Sequence, residues 1–124
     1  MSDVNIKKLE EVEPYSGANT IAGIKFRPVA RALGVTAWGM NVIEIAAGCA
    51  DYPQHDHAKD GQEEVYVVLA GGAKLDAGGT SFEVTTGQLV RVGPHTQRKF
   101  VPGAQGVTLL AIGATPGKPY EPRR

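Results

Sequence analysis

Glycine falls between nearly every pair of short apolar runs in this chain, and that spacing constrains the fold more than any other feature. The runs cover residues 21–27, 35–46, 64–70, 73–77, 80–84, 89–92, 97–101 and 107–112, with Gly48, Gly71, Gly78, Gly79, Gly87, Gly93 and Gly103 among the residues that separate them. Short runs bounded by turn residues and rich in Val, Ile and Tyr read as strands rather than helices. Gly78-Gly79 joins two of them as a two-residue hairpin, because the primed turns need positive φ. In residues 35–46, Ile43 and Ile45 point to one face and Trp38, Met40 and Val42 to the other, as in a strand covered on both sides. Eight or so short strands with glycine turns make an all-β sandwich, jelly roll or barrel. Gly and Pro together form about a fifth of the chain, against roughly 12% in ordinary usage.

Little helix is expected. Ser2 or Asp3 could cap a short helix through Val4, Ile6, Leu9 and Val12, ending before Pro14; a polar arm is the other reading. The expected organisation is an N-terminal arm (1–20), a β-barrel (21–114) and an extended, proline-bearing C-terminal arm (115–124). A length of 124 residues corresponds to one domain. Thirteen basic and thirteen acidic residues cancel, which argues against nucleic acid or an anionic membrane as partner. A single cysteine excludes a disulfide framework and a Cys-rich zinc site. No apolar run approaches the ~20 residues of a membrane span. Residues 1–13 lack the apolar stretch of a signal peptide, so a soluble, cytoplasmic protein is expected.

Two of the three histidines lie in Gln54-His55-Asp56-His57. On a strand, His-x-His puts both imidazoles on one face, about 6–7 Å apart at Cα, a ready pair of metal ligands or two exposed loop histidines. Glu63-Glu64 then heads an apolar strand. Alternation sends one acid to each face, and an inward carboxylate needs a cation or strong donors to offset its desolvation.

These residues resemble the first motif of the cupins: Gly, five residues, His-x-His, three or four residues, Glu, six residues, Gly. Here the pattern is Gly48, six residues, His55-x-His57, six residues, Glu64, six residues, Gly71. The Glu-to-Gly spacing selects Glu64 over Glu63, and residues 58–62 read as a lengthened turn. The resemblance implies a small jelly-roll barrel of two antiparallel sheets over about residues 35–112. It also implies a site for one divalent transition metal (iron, manganese, nickel or zinc) at the barrel mouth, and a homodimer.

The second cupin motif departs from the pattern. Counting from Gly87, Arg98 occupies the place of the third metal-binding histidine and Pro102 that of an asparagine. A guanidinium stays charged and has no lone pair for a metal. Three arrangements follow. His55, His57 and Glu64 hold the metal alone, as two His and a carboxylate; or a bulge brings His95 in as third ligand; or the metal is lost and Arg98 pairs with Glu64 or an anionic ligand. Arg98, Tyr66, which shares the face of Glu64, and His95 are the candidate ligand-binding residues. No catalytic residue is assigned. The resemblance implies a small-molecule site, either that of a metal-dependent enzyme such as a dioxygenase or isomerase acting on a small anionic substrate, or that of a non-catalytic binding or sensing protein.

Overall fold

The computed structural model describes residues 3–122. Six strands form: β1 (Ile24–Arg27), β2 (Gly39–Ile45), β3 (Glu63–Ala77), β4 (Thr80–Thr85), β5 (Leu89–Val92) and β6 (Arg98–Ala114), with one short helix, α1 (Val29–Leu33). All pairings are antiparallel. The first half of β3 lies between β5 and the second half of β6, and β2 and β1 extend that sheet. The second half of β3 lies between β4 and the first half of β6. Two packed antiparallel sheets, the expected barrel, therefore share the same two long strands.

Four of the expected runs merge into those two strands, since Gly71 and Gly103 do not end a strand. Instead β3 and β6 bend. The register shifts between Val68 and Ala70 and again between Gly71 and Ala73. Inward positions pass from Glu64, Tyr66 and Val68 to Ala73 and Leu75 on β3, and from Arg98 and Phe100 to Val107, Leu109 and Ala111 on β6. An odd number of extra residues reverses strand parity. Glycine is required at the bend. Gly71 has φ 72° and a Cβ there would overlap the Gly106 carbonyl oxygen; Gly106 has φ 74° and its Cβ would sit 2.8 Å from the Ile45 carbonyl oxygen.

The core lies between the sheets. Tyr66, Val68, Leu75, Phe100 and Leu109 are all at most 2% exposed. Tyr66 from one sheet meets Phe100 from the other edge-on, with ring centroids 4.8 Å apart. The Gly78-Gly79 hairpin forms as expected, both residues at positive φ.

The N-terminal segment is an arm rather than a helix. Among residues 3–13 the helical part is Leu9–Glu11, a single 3₁₀ unit; of the apolar positions of the expected helix Val12 is buried while Val4 and Ile6 are exposed, so its first turn has no apolar face packed on the barrel. Ser2 lies outside the described residues. Buried Arg27 fixes the end of the arm: its Nη1 donates to the Val12 carbonyl at 2.8 Å and its Nε to Glu44 Oε2 at 2.7 Å. The helix that does form, α1, follows Pro28 and stops at Gly34 with φ 82°, the Pro-before, Gly-after asymmetry of helix ends. It packs on β2 and buries Ala30. Residues 115–122 form no strand or helix; Thr115 Oγ1 donates to the Asp60 carbonyl at 2.7 Å, tying the start of the C-terminal arm to the His57–Asp60 turn. Among the described residues, no helix is long and apolar enough to cross a membrane.

Candidate metal centre

The two histidines are carried by a segment that pairs with the start of β6. His55 exchanges two backbone hydrogen bonds with Arg98, at 3.1 and 2.9 Å, and the His57 amide donates to the Pro94 carbonyl at 2.8 Å. Both rings are thereby held on one face, with centroids 5.3 Å apart. His55 Nδ1 lies 3.0 Å from the Pro53 carbonyl oxygen, which can only accept, so Nδ1 carries the hydrogen and a neutral His55 keeps its lone pair on Nε2. His57 Nδ1 lies 3.1 and 3.2 Å from the Asp60 carboxylate oxygens, which orients that ring the same way. A carboxylate behind an imidazole is the usual outer partner of a metal-bound histidine.

Glu64 is the first inward residue of β3, and Glu63 faces outward, where Arg91 Nε donates to it at 2.9 Å. The alternation read from the sequence holds. Opposite Glu64 stands Gly113. A Cβ there would lie 3.1 Å from Glu64 Cγ and 2.9 Å from Gln62 Oε1, so the bare glycine leaves room for the Glu64 side chain against β6. A single oxygen, Glu64 Oε1, accepts from Tyr66 Oη at 2.6 Å and from Arg98 Nη1 at 2.9 Å. The same oxygen is 3.1 Å from His57 Nε2 and 3.8 Å from His55 Nε2.

His55, His57 and Glu64 each offer one donor atom, and those three atoms lie within 4.8 Å of one another. Two imidazoles with their lone pairs turned inward and one carboxylate suit iron, manganese, nickel or zinc, so the donor set fits a divalent transition metal. Arg98 is fully buried. Its Nη2 donates to the Gly93 carbonyl at 2.7 Å, and its Nε is the one buried side-chain nitrogen or oxygen without a hydrogen-bond partner among the described residues. The Arg98–Glu64 pairing, expected with loss of the metal, is thus present, and His55, His57 and Glu64 converge beside it. His95 is brought elsewhere. It is exposed in the turn between β5 and β6, and that turn presents the Pro94 carbonyl, not the His95 ring, to His57.

Burial pushes the Glu64 carboxyl up, but contacts with His55, His57 and Tyr66 outweigh it and hold the group well below the carboxylate range. When His57 is protonated, its Nε2–H donates to Glu64 as well, and this raises the imidazole above its ordinary value, against burial, which lowers it. Burial raises Tyr66 far above the tyrosine range and pushes Tyr52 up to about 12. Both hydroxyls therefore stay protonated at neutral pH.

Two residues of the site escape a reading of the motifs. Tyr52 is buried with its ring 5.8 Å from His55 and 5.5 Å from Phe100; an aromatic three residues before a His-x-His pair is its only trace in the sequence. Asp60, in what reads as a plain Asp-Gly turn, supports His57; the three-residue offset across a turn is the signal. A cleft of about 690 Å³ opens between β4 and β5 over Leu75, Phe82, Val84 and Leu89. Its walls include Val92 and Ala77, the cross-strand neighbours of Glu64 and Arg98.

No family model and no curated relative matches the sequence. Solved structures do resemble it. A cupin protein of Bacteroides fragilis superposes with a TM-score of 0.71 at 18% identity, over 99% of this chain and 93% of that one. A sugar phosphate isomerase from a cupin superfamily, from Silicibacter pomeroyi, gives 0.76 at 18% identity over 89% and 75%. A predicted oxalate decarboxylase of Thermotoga maritima gives 0.72 at 16% identity over 90% and 99%. The chain has the cupin fold.

Proposed function

We propose that this cupin-fold barrel binds a small anionic molecule at a divalent-metal site formed by His55, His57 and Glu64. The observation that carries the reading is the orientation of the two imidazoles. Pro53 and Asp60 occupy both Nδ1 atoms, so both Nε2 atoms face the Glu64 carboxylate. When bound, a metal at this site would polarise an oxygen of the ligand as a Lewis acid or take part in redox chemistry. The chain's own contributions are positional. Tyr66 donates to Glu64 and fixes the carboxylate, Asp60 fixes His57, and buried Arg98 supplies a permanent positive charge for an anionic group.

The activities named for the structural neighbours, sugar phosphate isomerisation and oxalate decarboxylation, both concern small anions, and that supports the ligand class. The second reading is a non-catalytic binding or sensing protein, and the Arg98–Glu64 contact favours it, because the pair neutralises the site without a metal. A homodimer is proposed with either reading. Elemental analysis by plasma mass spectrometry of protein purified without chelator tests the metal. About one metal per chain, falling well below that in His55→Ala and His57→Ala, supports the first reading. Protein that stays metal-free after incubation with iron, manganese, nickel and zinc supports the second.

A further inference from the structure

Resting on the metal-site reading above, we propose that a divalent metal and a small dianion bind this site as a coupled pair, each strengthening the other, with Arg98 as the coupling residue. The argument is one of charge. Arg98 is fully buried, and among the described residues the one anionic contact of its guanidinium is Glu64, at 2.9 Å; the guanidinium's other hydrogen bond goes to the neutral Gly93 carbonyl. The guanidinium does not lose its proton, so Glu64 balances it. The oxygen that does so, Oε1, is also the one 3.1 Å from His57 Nε2, which places the Arg98 contact and the metal-facing contact on the same atom.

A divalent ion held by Glu64 brings two positive charges beside one guanidinium and one carboxylate. The surplus is two positive charges among buried groups, and the histidines, neutral as ligands, do not reduce it. Asp60, the next carboxylate, is engaged by His57 and partly exposed. Uncompensated charge in a buried site carries a large penalty. The metal alone therefore binds against Arg98, and a dianion alone binds against Glu64. Together they balance. Arg98 Nε, buried and without a partner, is the donor left over for the second anion.

Calorimetric titration of metal-stripped wild-type protein with Mn²⁺, repeated with Zn²⁺, tests this, with and without malonate and with malonamide as the neutral isostere. Free metal is corrected for malonate complexes in solution. Malonate should lower the metal Kd by about tenfold or more, within the ordinary range of coupling between sites, and the metal should tighten malonate by the same factor. Malonamide should change nothing. Arg98→Met should bind metal more tightly than wild type without malonate and lose the malonate effect. Should Arg98→Met not fold, Arg98→Lys keeps the charge and should keep part of the effect. Equal metal affinity of the wild type with and without malonate overturns the coupling while leaving the metal site standing. Absence of metal binding to wild type and variants in every buffer overturns the metal reading and the coupling with it.

Discussion

Glu64→Gln removes one negative charge and leaves the side-chain volume almost unchanged. What it strands is the charge of Arg98, fully buried, with Nε already unpartnered and only neutral acceptors left, the new carboxamide oxygen and the Gly93 carbonyl. Removing one member of a buried ion pair costs about 3–5 kcal/mol, because the other charge stays desolvated. For a chain of this length each kcal/mol shifts Tm by about 3–5 °C, so a fall of roughly 10–20 °C is expected. Glu63→Gln is the internal control. It breaks an exposed pair with Arg91, worth about 0–1 kcal/mol. Adding Arg98→Met to Glu64→Gln should restore stability relative to Glu64→Gln alone, since the double variant has no buried charge to strand. The assay is thermal and urea unfolding of metal-free protein, followed by circular dichroism. A Tm for Glu64→Gln within about 3 °C of wild type, or a double variant less stable than the single one, would refute the reasoning. It would mean that Arg98 reaches solvent or another anion.

Acid should act through the same carboxylate. Glu64 is held below its ordinary value of 4.5 in the fold, so its contribution to stability is complete above about pH 4.5 and is lost as pH falls toward its folded value; Tm against pH should lose this acid limb in Glu64→Gln, and superimposable curves would contradict it. His57 runs the other way, with a value raised above 6.5: its contribution is complete below pH 6.5 and lost as pH rises through its folded value, and because a proton on Nε2 competes with metal, Mn²⁺ affinity measured by calorimetry should rise with pH across that range. Asp60→Asn should weaken metal binding by about 10- to 100-fold with little change in Tm; an unchanged Kd would show that Asp60 does not support His57. Gly71→Ala, where a side chain would overlap the Gly106 carbonyl, should destabilise far more than Gly79→Ala, which has equally positive φ but open space and should lose about 1–2 kcal/mol; equal losses in urea unfolding would show that the bend relaxes.

The strands were legible because their signal is local. Val, Ile and Tyr at alternate positions and a Gly-Gly turn need no distant partner to be read; parity put one of Glu63 and Glu64 inward, and the Glu-to-Gly spacing of the resembled motif selected Glu64. The two long strands were not legible. Parity reverses inside each, at residues 69–72 and 102–106, and the cause is contact with the other strand. Helix α1 was missed because its five residues carry no periodicity; only Pro28 and Gly34 mark it. In the site, the imidazoles and the carboxylate were named from their resemblance to the cupin motif, whereas Asp60 and Tyr52 owe their positions to where a turn and a loop fall in space. The place of Arg98 was the instructive case. The motif comparison put it at an inward position, and it is the largest fully buried side chain among the described residues, yet what it pairs with depends on Gly113 leaving Glu64 free to reach it.

β3 and β6 belong to both sheets and run side by side through the bend at Gly71 and Gly106. Among the described residues, β1–β2 is the one strand pair that involves neither of them; every other pairing uses β3 or β6. Peeling β4 or β5 costs an edge, but separating β3 from β6 dismantles both layers and the Tyr66–Phe100 contact at once. Amide hydrogens along the whole of that pair should therefore exchange through a single global opening, with the edge strands exchanging earlier. The ligands ride on this pair, Glu64 on β3 and His55 bridged to the start of β6. The convergence of those side chains thus persists for as long as the molecule is folded at all.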